Sequence, residues 1–212
     1  MRPQFKKMEL RERILIKAEE VFLRYGIRSV SMDDLATQLG MSKKTLYQVF
    51  AEKDELVLEI VKIYTDRSRM DCESIRAISK DAIHENLLTM QRVMEDFSNM
   101  NPVVLYDLQK FHHKAYEAFL QYKNNYLLQF IQENIQRGIQ EKLFRHDIDQ
   151  EIISRYRLES MMIPFNIGLY PPSQFNFVQT HQLITENFIY GLVTEQGFQL
   201  VESYKRDLQK TN

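Results

Sequence analysis

Residues 31–50 read Ser31-Met32-Asp33-Asp34-Leu35-Ala36-Thr37-Gln38-Leu39-Gly40-Met41-Ser42-Lys43-Lys44-Thr45-Leu46-Tyr47-Gln48-Val49-Phe50, the pattern of two short helices and a sharp turn. The Ser31 hydroxyl can accept a bond from a first-turn N–H, and Asp33 and Asp34 suit the positive first turn that follows. Gly40 ends this helix, and Ser42 can cap the next, from Lys43 to Phe50. A connection as short as Gly40-Met41-Ser42 predicts the crossing of a helix-turn-helix. The apolar positions agree: Leu35, Ala36 and Leu39 can face Met41, Leu46 and Val49, with Ala36 small where two helices approach. The other side of the second helix is left to Lys43, Lys44, Thr45, Tyr47 and Gln48, which are donors or donor-acceptors and include no acid.

Working outward, Leu10, Ile14, Ala18, Val21 and Tyr25, flanked by Leu15 and Phe22, recur at the spacing of an amphipathic helix over 9–25. Gly26 closes it, where a positive φ costs glycine little. Beyond Lys53 the helical patterns are long. They cover 54–76 (Leu56, Ile60, Ile63 and Tyr64 on one face) and 82–98 (Ile83, Leu87, Met90, Met94, Phe97). A helix starting at Asn101-Pro102 follows, since proline suits the first helical position. Further helices are predicted over 114–140, 148–163 and 175–195, the last two separated by Pro164, Gly168, Pro171 and Pro172, with a tail helix after Gly197. Only 6 Gly and 5 Pro in 212 residues leave too few turns for an all-β sandwich or barrel. The expectation is an all-α chain of about nine or ten helices. Residues 1–53 form a three-helix head, and 54–212 a larger helical domain.

Hydrophobic residues at 44% and charged residues at 27% fit a globular chain and exclude a mainly disordered one. One cysteine, Cys72, allows no internal disulfide and fits a reducing compartment. No apolar run reaches the ~18 residues of a membrane span. The basic start lacks the apolar core of a secretory signal, so the expected location is cytoplasmic. The net charge of −1 is uneven: residues 1–50 hold ten Lys and Arg against six acids, a basic head on an acidic remainder.

Enzyme chemistry has little to stand on. The sequence has no Gly-rich phosphate loop, HExxH, CxxC or GxSxG, and no catalytic residue, cofactor or metal is expected. Cys72, placed on the polar side of the 54–76 helix, reads as an incidental thiol. His112, His113 and Glu117 offer one i, i+4 pair, where a metal needs three or four converging ligands. Between 104 and 130 the aromatics are dense: Tyr106, Phe111, Tyr116, Phe119, Tyr122, Tyr126 and Phe130, with Met161, Met162 and Phe165 later. Two readings stand for them, core packing or a pocket for an apolar or aromatic small molecule with His112 or His113 as a polar group.

The run from Ser29 to Phe50, followed by Lys53-Asp54-Glu55-Leu56, resembles the DNA-binding domain of the TetR family of bacterial transcriptional regulators. Leu46-Tyr47-x-x-Phe50 with Lys53-acid-x-Leu56 is its most specific part, and the resemblance covers about residues 9–57. Two positions depart from the family pattern. Lys44 stands where a small residue or proline is usual, and Glu52 where Ser, Asn or Asp often caps the fourth helix.

The resemblance implies a dimeric, cytoplasmic regulator, by default a repressor, on a pseudo-palindromic double-stranded DNA operator. It sends the third helix into the major groove, with Ser42, Lys43, Lys44, Thr45 and Gln48 near bases or phosphates and Ser31, Tyr47 and Lys53 on the backbone. A basic arm, Arg2, Lys6 and Lys7, could add a contact. It also implies an apolar or aromatic small-molecule effector; Tyr106, Phe111, His112, Tyr116, Phe119, Met161 and Phe165 are the pocket candidates. Dimerisation would use the helices over 148–163 (Ile152, Ile153, Tyr156, Met161) and 175–195 (Phe177, Leu183, Ile184, Phe188, Leu192). The rival readings are a helical adaptor whose helix-turn-helix no longer binds DNA, and a helical enzyme built on His112, His113 and Glu117.

Overall fold

The structure, a computed structural model, describes residues 9–211, with side chains through 207. The basic arm Arg2, Lys6 and Lys7 lies outside the described residues. Among those described, regular structure is helical, apart from one isolated antiparallel bridge between Phe144 and Val193. The helices are α1 (Leu10–Tyr25), α2 (Met32–Gln38), α3 (Lys43–Val49), α4 (Lys53–Ile78), α5 (Ala82–Phe97), α6 (Val103–Phe111), α7 (His113–Gln121), α8 (Leu128–Gln140), α9 (Gln150–Ser160), α10 (Phe177–Leu192) and α11 (Glu195–Thr211). None is long and apolar enough to cross a membrane.

The chain forms two compact units. The first holds α1 to α3, the part of α4 up to Thr65, and Asn99–Leu120. Its core gathers Ile14, Ala18 and Phe22 of α1, Leu35 of α2, Leu46 of α3, Phe50, and Leu56 and Val57 of α4. Val104 and Leu108 of α6 and Ala115 of α7 complete it. The ends of the α1 stripe, Leu10 and Tyr25, are exposed instead, so burial follows Ile14, Leu15, Ala18, Val21 and Phe22. Helix α6 and the residues just before it also fasten the end of α1 and the turn that follows: the Asn101 amide donates to the Leu23 carbonyl at 2.7 Å, and the Arg28 amide to the buried Asp107 carboxylate at 2.9 Å. That turn begins at Gly26, whose φ of +87° favours glycine and whose absent Cβ would stand 2.8 Å from Val103.

The second unit holds Asp66–Ser98 and the chain from Gln121 onward. Helices α5, α8, α9 and α10 pack on one another around Ile83, Leu87, Ile131, Ile135, Leu158, Phe188 and Ile189. The expected helix over 114–140 is two α-helices with a wide π-helical turn, Tyr122–Leu127, between them. Tyr122 and Lys123 are both buried there although adjacent residues on an α-helix point about 100° apart. The Tyr122 hydroxyl bonds the Ser68 hydroxyl at 2.6 Å, and Lys123 Nζ donates to Glu159 Oε1 at 2.7 Å. The tail helix begins at Glu195 rather than after Gly197. Gly197 is needed inside its first turn, because a Cβ there would meet the Leu143 carbonyl oxygen at 2.2 Å.

Candidate nucleic-acid interface

The helix-turn-helix is held by local bonds that its sequence prescribes. Ser31 Oγ accepts from the Asp34 amide at 3.1 Å while Asp34 Oδ2 accepts from the Ser31 amide at 2.8 Å, a reciprocal cap on α2. The hydroxyl of Ser31 also holds the Asp34 carboxyl below the usual carboxylate range. At the other end of α2, Gly40 takes a φ of +64°. Its amide donates to the Thr37 carbonyl and that of Met41 to the Ala36 carbonyl, the paired bonds of a glycine-ended helix. Ser42 then caps α3 by accepting from the Thr45 amide at 3.1 Å.

Helix α3 has two distinct sides. Leu46 is 0 % exposed, and Phe50, just past its end, is likewise 0 % exposed. Lys43, Lys44, Tyr47 and Gln48 are exposed, and Tyr47 shows 47 % of its surface although it is a large apolar ring. An exposed aromatic among amines and amides, on a capped helix with no acid of its own, suits a polyanion better than bulk water.

The residues expected at DNA are not equally free. Lys44 and Gln48 make no side-chain hydrogen bond among the described residues. Lys43 Nζ pairs with Asp33 of α2, an acid beside the reading side whose partner was not legible in the sequence. Thr45 is half-buried, and its hydroxyl bonds that of Ser42 at 2.8 Å, which leaves its methyl as the open part. Lys53 turns inward. Its ammonium donates to the carbonyls of Ile27 and Val30 at 2.5 and 2.6 Å and lies 5.4 Å from the Phe22 ring. Burial lowers its pKa, against the pull of Asp107, Asp54 and Asp34.

Replacing Lys53 with methionine should therefore act first on the head itself. Two carbonyls would lose their donor, a cost of about 1–3 kcal/mol. The expected result is a lower melting temperature and weaker binding to every DNA sequence, with an unchanged salt dependence. A salt slope reduced by about one unit at unchanged stability would instead assign Lys53 to a phosphate.

The pocket candidates fall in different places. Tyr106 is exposed, with Lys110 Nζ donating to its hydroxyl at 2.7 Å. Phe111 carries the Arg28 guanidinium 4.7 Å from its ring. His112 is buried with a ring nitrogen 2.7 Å from Asp54 Oδ1. Tyr116 and Phe119 stack on each other and pack on the core of the first unit. Phe165, in the second unit, meets Phe97 and Phe177 edge-on at 5.3 and 4.8 Å.

A cavity of about 40 Å³ lies elsewhere in the second unit, and of these seven candidates Met161 lines it. Its wall also includes Cys72, Glu85, Asn86, Phe130, Ile131, Asn134, Arg157 and Phe188. Cys72 thus sits inside and not on the polar side of α4, where burial and the neighbouring Asp71 push its thiol up to about 12. Such a thiol stays protonated and unreactive at neutral pH. Among the described residues, no group of three or more His, Cys, Asp or Glu is placed to hold a metal ion.

Residues 14–60 match the family model described as bacterial regulatory proteins, tetR family. The chain is 30% identical over 148 residues to the uncharacterized HTH-type transcriptional regulator YvaF of Bacillus subtilis, spanning 64% of this chain and 75% of that one. Among solved structures, the ketosteroid transcriptional regulator KstR2 of Mycobacterium tuberculosis superposes with a TM-score of 0.65 at 19% identity, covering 88% of this chain and 96% of the other. SCO4454, a TetR-family transcriptional regulator of Streptomyces coelicolor, does so with a TM-score of 0.63 at 20% identity, covering 93% and 94%. These two show the shared fold. The capped helix-turn-helix, the family match that spans it and a relative matched over three quarters of its length agree, and the chain belongs to the TetR family of bacterial transcriptional regulators.

Proposed function

We propose that this regulator is a homodimeric, effector-controlled repressor that reads a pseudo-palindromic operator through α3. The observation that carries the reading is the two-sidedness of α3: Leu46 anchors it at 0 % exposure while Lys44, Tyr47 and Gln48 stand free. In the major groove, Lys44 can donate to guanine O6 and N7, and Gln48 can pair with adenine. Tyr47 fits the sugar-phosphate backbone, and Lys43 can exchange Asp33 for a phosphate. The serine hydroxyls at 31 and 42 keep the two helices in place while their exposed edges approach the backbone.

One α3 helix spans too few base pairs to define a genomic site, so two copies are required, with half-sites about 34–36 Å apart or a multiple of that. The pairing surface we assign is the outer side of α9 and α10. Ile152, Tyr156 and Leu183 are exposed there at 64 %, 56 % and 58 %. Phe188 and Leu192, also expected at the interface, are buried in the core of their own unit. Ile153, Met161, Phe177 and Ile184 are half-buried. The effector would enter the second unit, and its binding would favour one spacing of the two reading helices. Each ~1.4 kcal/mol of that preference changes operator affinity tenfold. Domain roles follow: 1–53 reads DNA, and 54–212 binds effector and partner.

Selecting bound fragments from genomic DNA, beginning with the region upstream of the protein's own coding sequence, tests the reading. The expected result is an inverted repeat bound by two chains. Unchanged mobility of every fragment at low salt would favour a helical adaptor.

A further inference from the structure

Arg157 on α9 is 6 % exposed and forms part of the cavity wall. Its Nη1 donates to Thr185 Oγ1 at 3.2 Å, and its guanidinium lies 5.1 Å from the Phe188 ring centroid. A guanidinium has five N–H donors and no acceptor. Among the described residues no carboxylate pairs with it. A buried charge is costly unless paired, and among the described residues this side chain has no counter-ion.

The rest of the cavity does not offset that charge. Glu85 is the acid in its wall: its Oε2 accepts from Arg137 at 3.1 Å, while its Oε1 lies 3.6 Å from Arg76 Nε as an ion pair without a hydrogen bond, so its charge is already answered by those two arginines. The amides of Asn86 and Asn134 bond each other at 2.6 Å. Nearby His181 is 1 % exposed, with neither ring nitrogen hydrogen-bonded. Burial, with the charge of Arg157, lowers its pKa to about 4, so at neutral pH it adds no charge. Apolar surface supplies most of the remaining wall: Phe130, Ile131, Ile135, Met161 and Phe188.

We propose that the cavity binds a small amphiphilic carboxylic acid, its carboxylate on the Arg157 guanidinium and its apolar body against Phe130, Met161 and Phe188. Charge-assisted bonds from arginine to carboxylate are the strong, shaped kind that such a site can use. A volume of about 40 Å³ takes the carboxylate and little more. A longer body displaces Met161, whose unbranched side chain repacks readily. This assignment rests on the effector-controlled reading above and gives that effector a chemical class.

Thermal unfolding of the full-length protein with matched pairs of ligands tests it. Acetate, benzoate and octanoate are compared with ethanol, benzyl alcohol and octanol at equal concentration. At least one acid should raise the melting temperature well beyond its alcohol. Arg157→Met should weaken that acid's binding tenfold or more and abolish its advantage, whereas Arg157→Lys should retain part of it. Alcohols that stabilise as well as their acids, or an Arg157→Met protein that binds the acid like the wild type, would overturn the proposal. Operator affinity measured with the bound acid separates the two claims. Release from DNA supports both. An acid that binds through Arg157 with no effect on DNA binding would refute the effector reading and leave the carboxylate site standing.

Discussion

Replacing Lys44, Tyr47 and Gln48 together with alanine should lower operator affinity by about a thousandfold or more while leaving the fold intact. Each good base contact in the major groove is worth about 1–3 kcal/mol of discrimination, and each phosphate contact adds salt-dependent affinity. Both copies in a dimer lose these terms. The stability cost should be small, because all three side chains are exposed and make no hydrogen bond within the described residues. Surface substitutions of this kind usually change stability by no more than about 0.5 kcal/mol each. Mobility shift with the selected fragment measures the first effect, and far-ultraviolet dichroism with thermal melting measures the second. Lys43 is left in place deliberately, since removing it would also release Asp33. Retained binding by the triple variant would mean that another surface reads the DNA.

The substitution Phe50→Ala should do the opposite, destroying the head rather than its reading side. Phe50 is fully buried in the core that joins α1, α3 and α4, and the Arg11 guanidinium lies 4.3 Å from its ring centroid. Truncating a buried phenylalanine to alanine costs about 3–5 kcal/mol. Against a whole-domain stability of about 5–15 kcal/mol, that is a large fraction. Chemical denaturation should show the loss, and hydrogen exchange should place it in α1 to α3 ahead of the second unit. Tyr47 and Phe50 are three residues apart, so the contrast between them separates contact from support. A Phe50→Ala protein as stable as the wild type would remove the packing argument for how α3 is held.

The parts of this molecule legible in its sequence are those fixed by near neighbours in the chain. The capping roles of Ser31 and Ser42, the end of α2 at Gly40 and the inward side of Leu46 depend on residues within one or two helical turns. Features set by distant partners were not legible. The inward turn of Lys53 depends on the carbonyls of Ile27 and Val30, and the pairing of Lys43 on where α2 places Asp33. Nothing local announces that Val104, Leu108 and Ala115 pack with the head.

Helix α4 shows how a periodic reading slips. The spacing of Leu56, Ile60, Ile63 and Tyr64 predicts one face, of which Leu56 is buried, Ile60 and Tyr64 are half-buried and Ile63 is exposed. From Leu56 the buried line runs instead through Val57, Val61, Thr65 and Cys72, where a threonine conceals the pattern. The cavity is less legible still. Tyr106, Phe111, Tyr116 and Phe119 stand out in the sequence through density alone, whereas the wall is assembled from α4, α5, α8, α9 and α10, and its most informative member is the arginine at 157.

Hydrogen exchange of the full-length protein, with and without the selected duplex, bears most immediately on how this chain meets DNA. Slower exchange confined to the amides of α2 and α3, centred on 43–49, is the predicted outcome. Protection elsewhere, with α3 exchanging as fast as in the free protein, would contradict it.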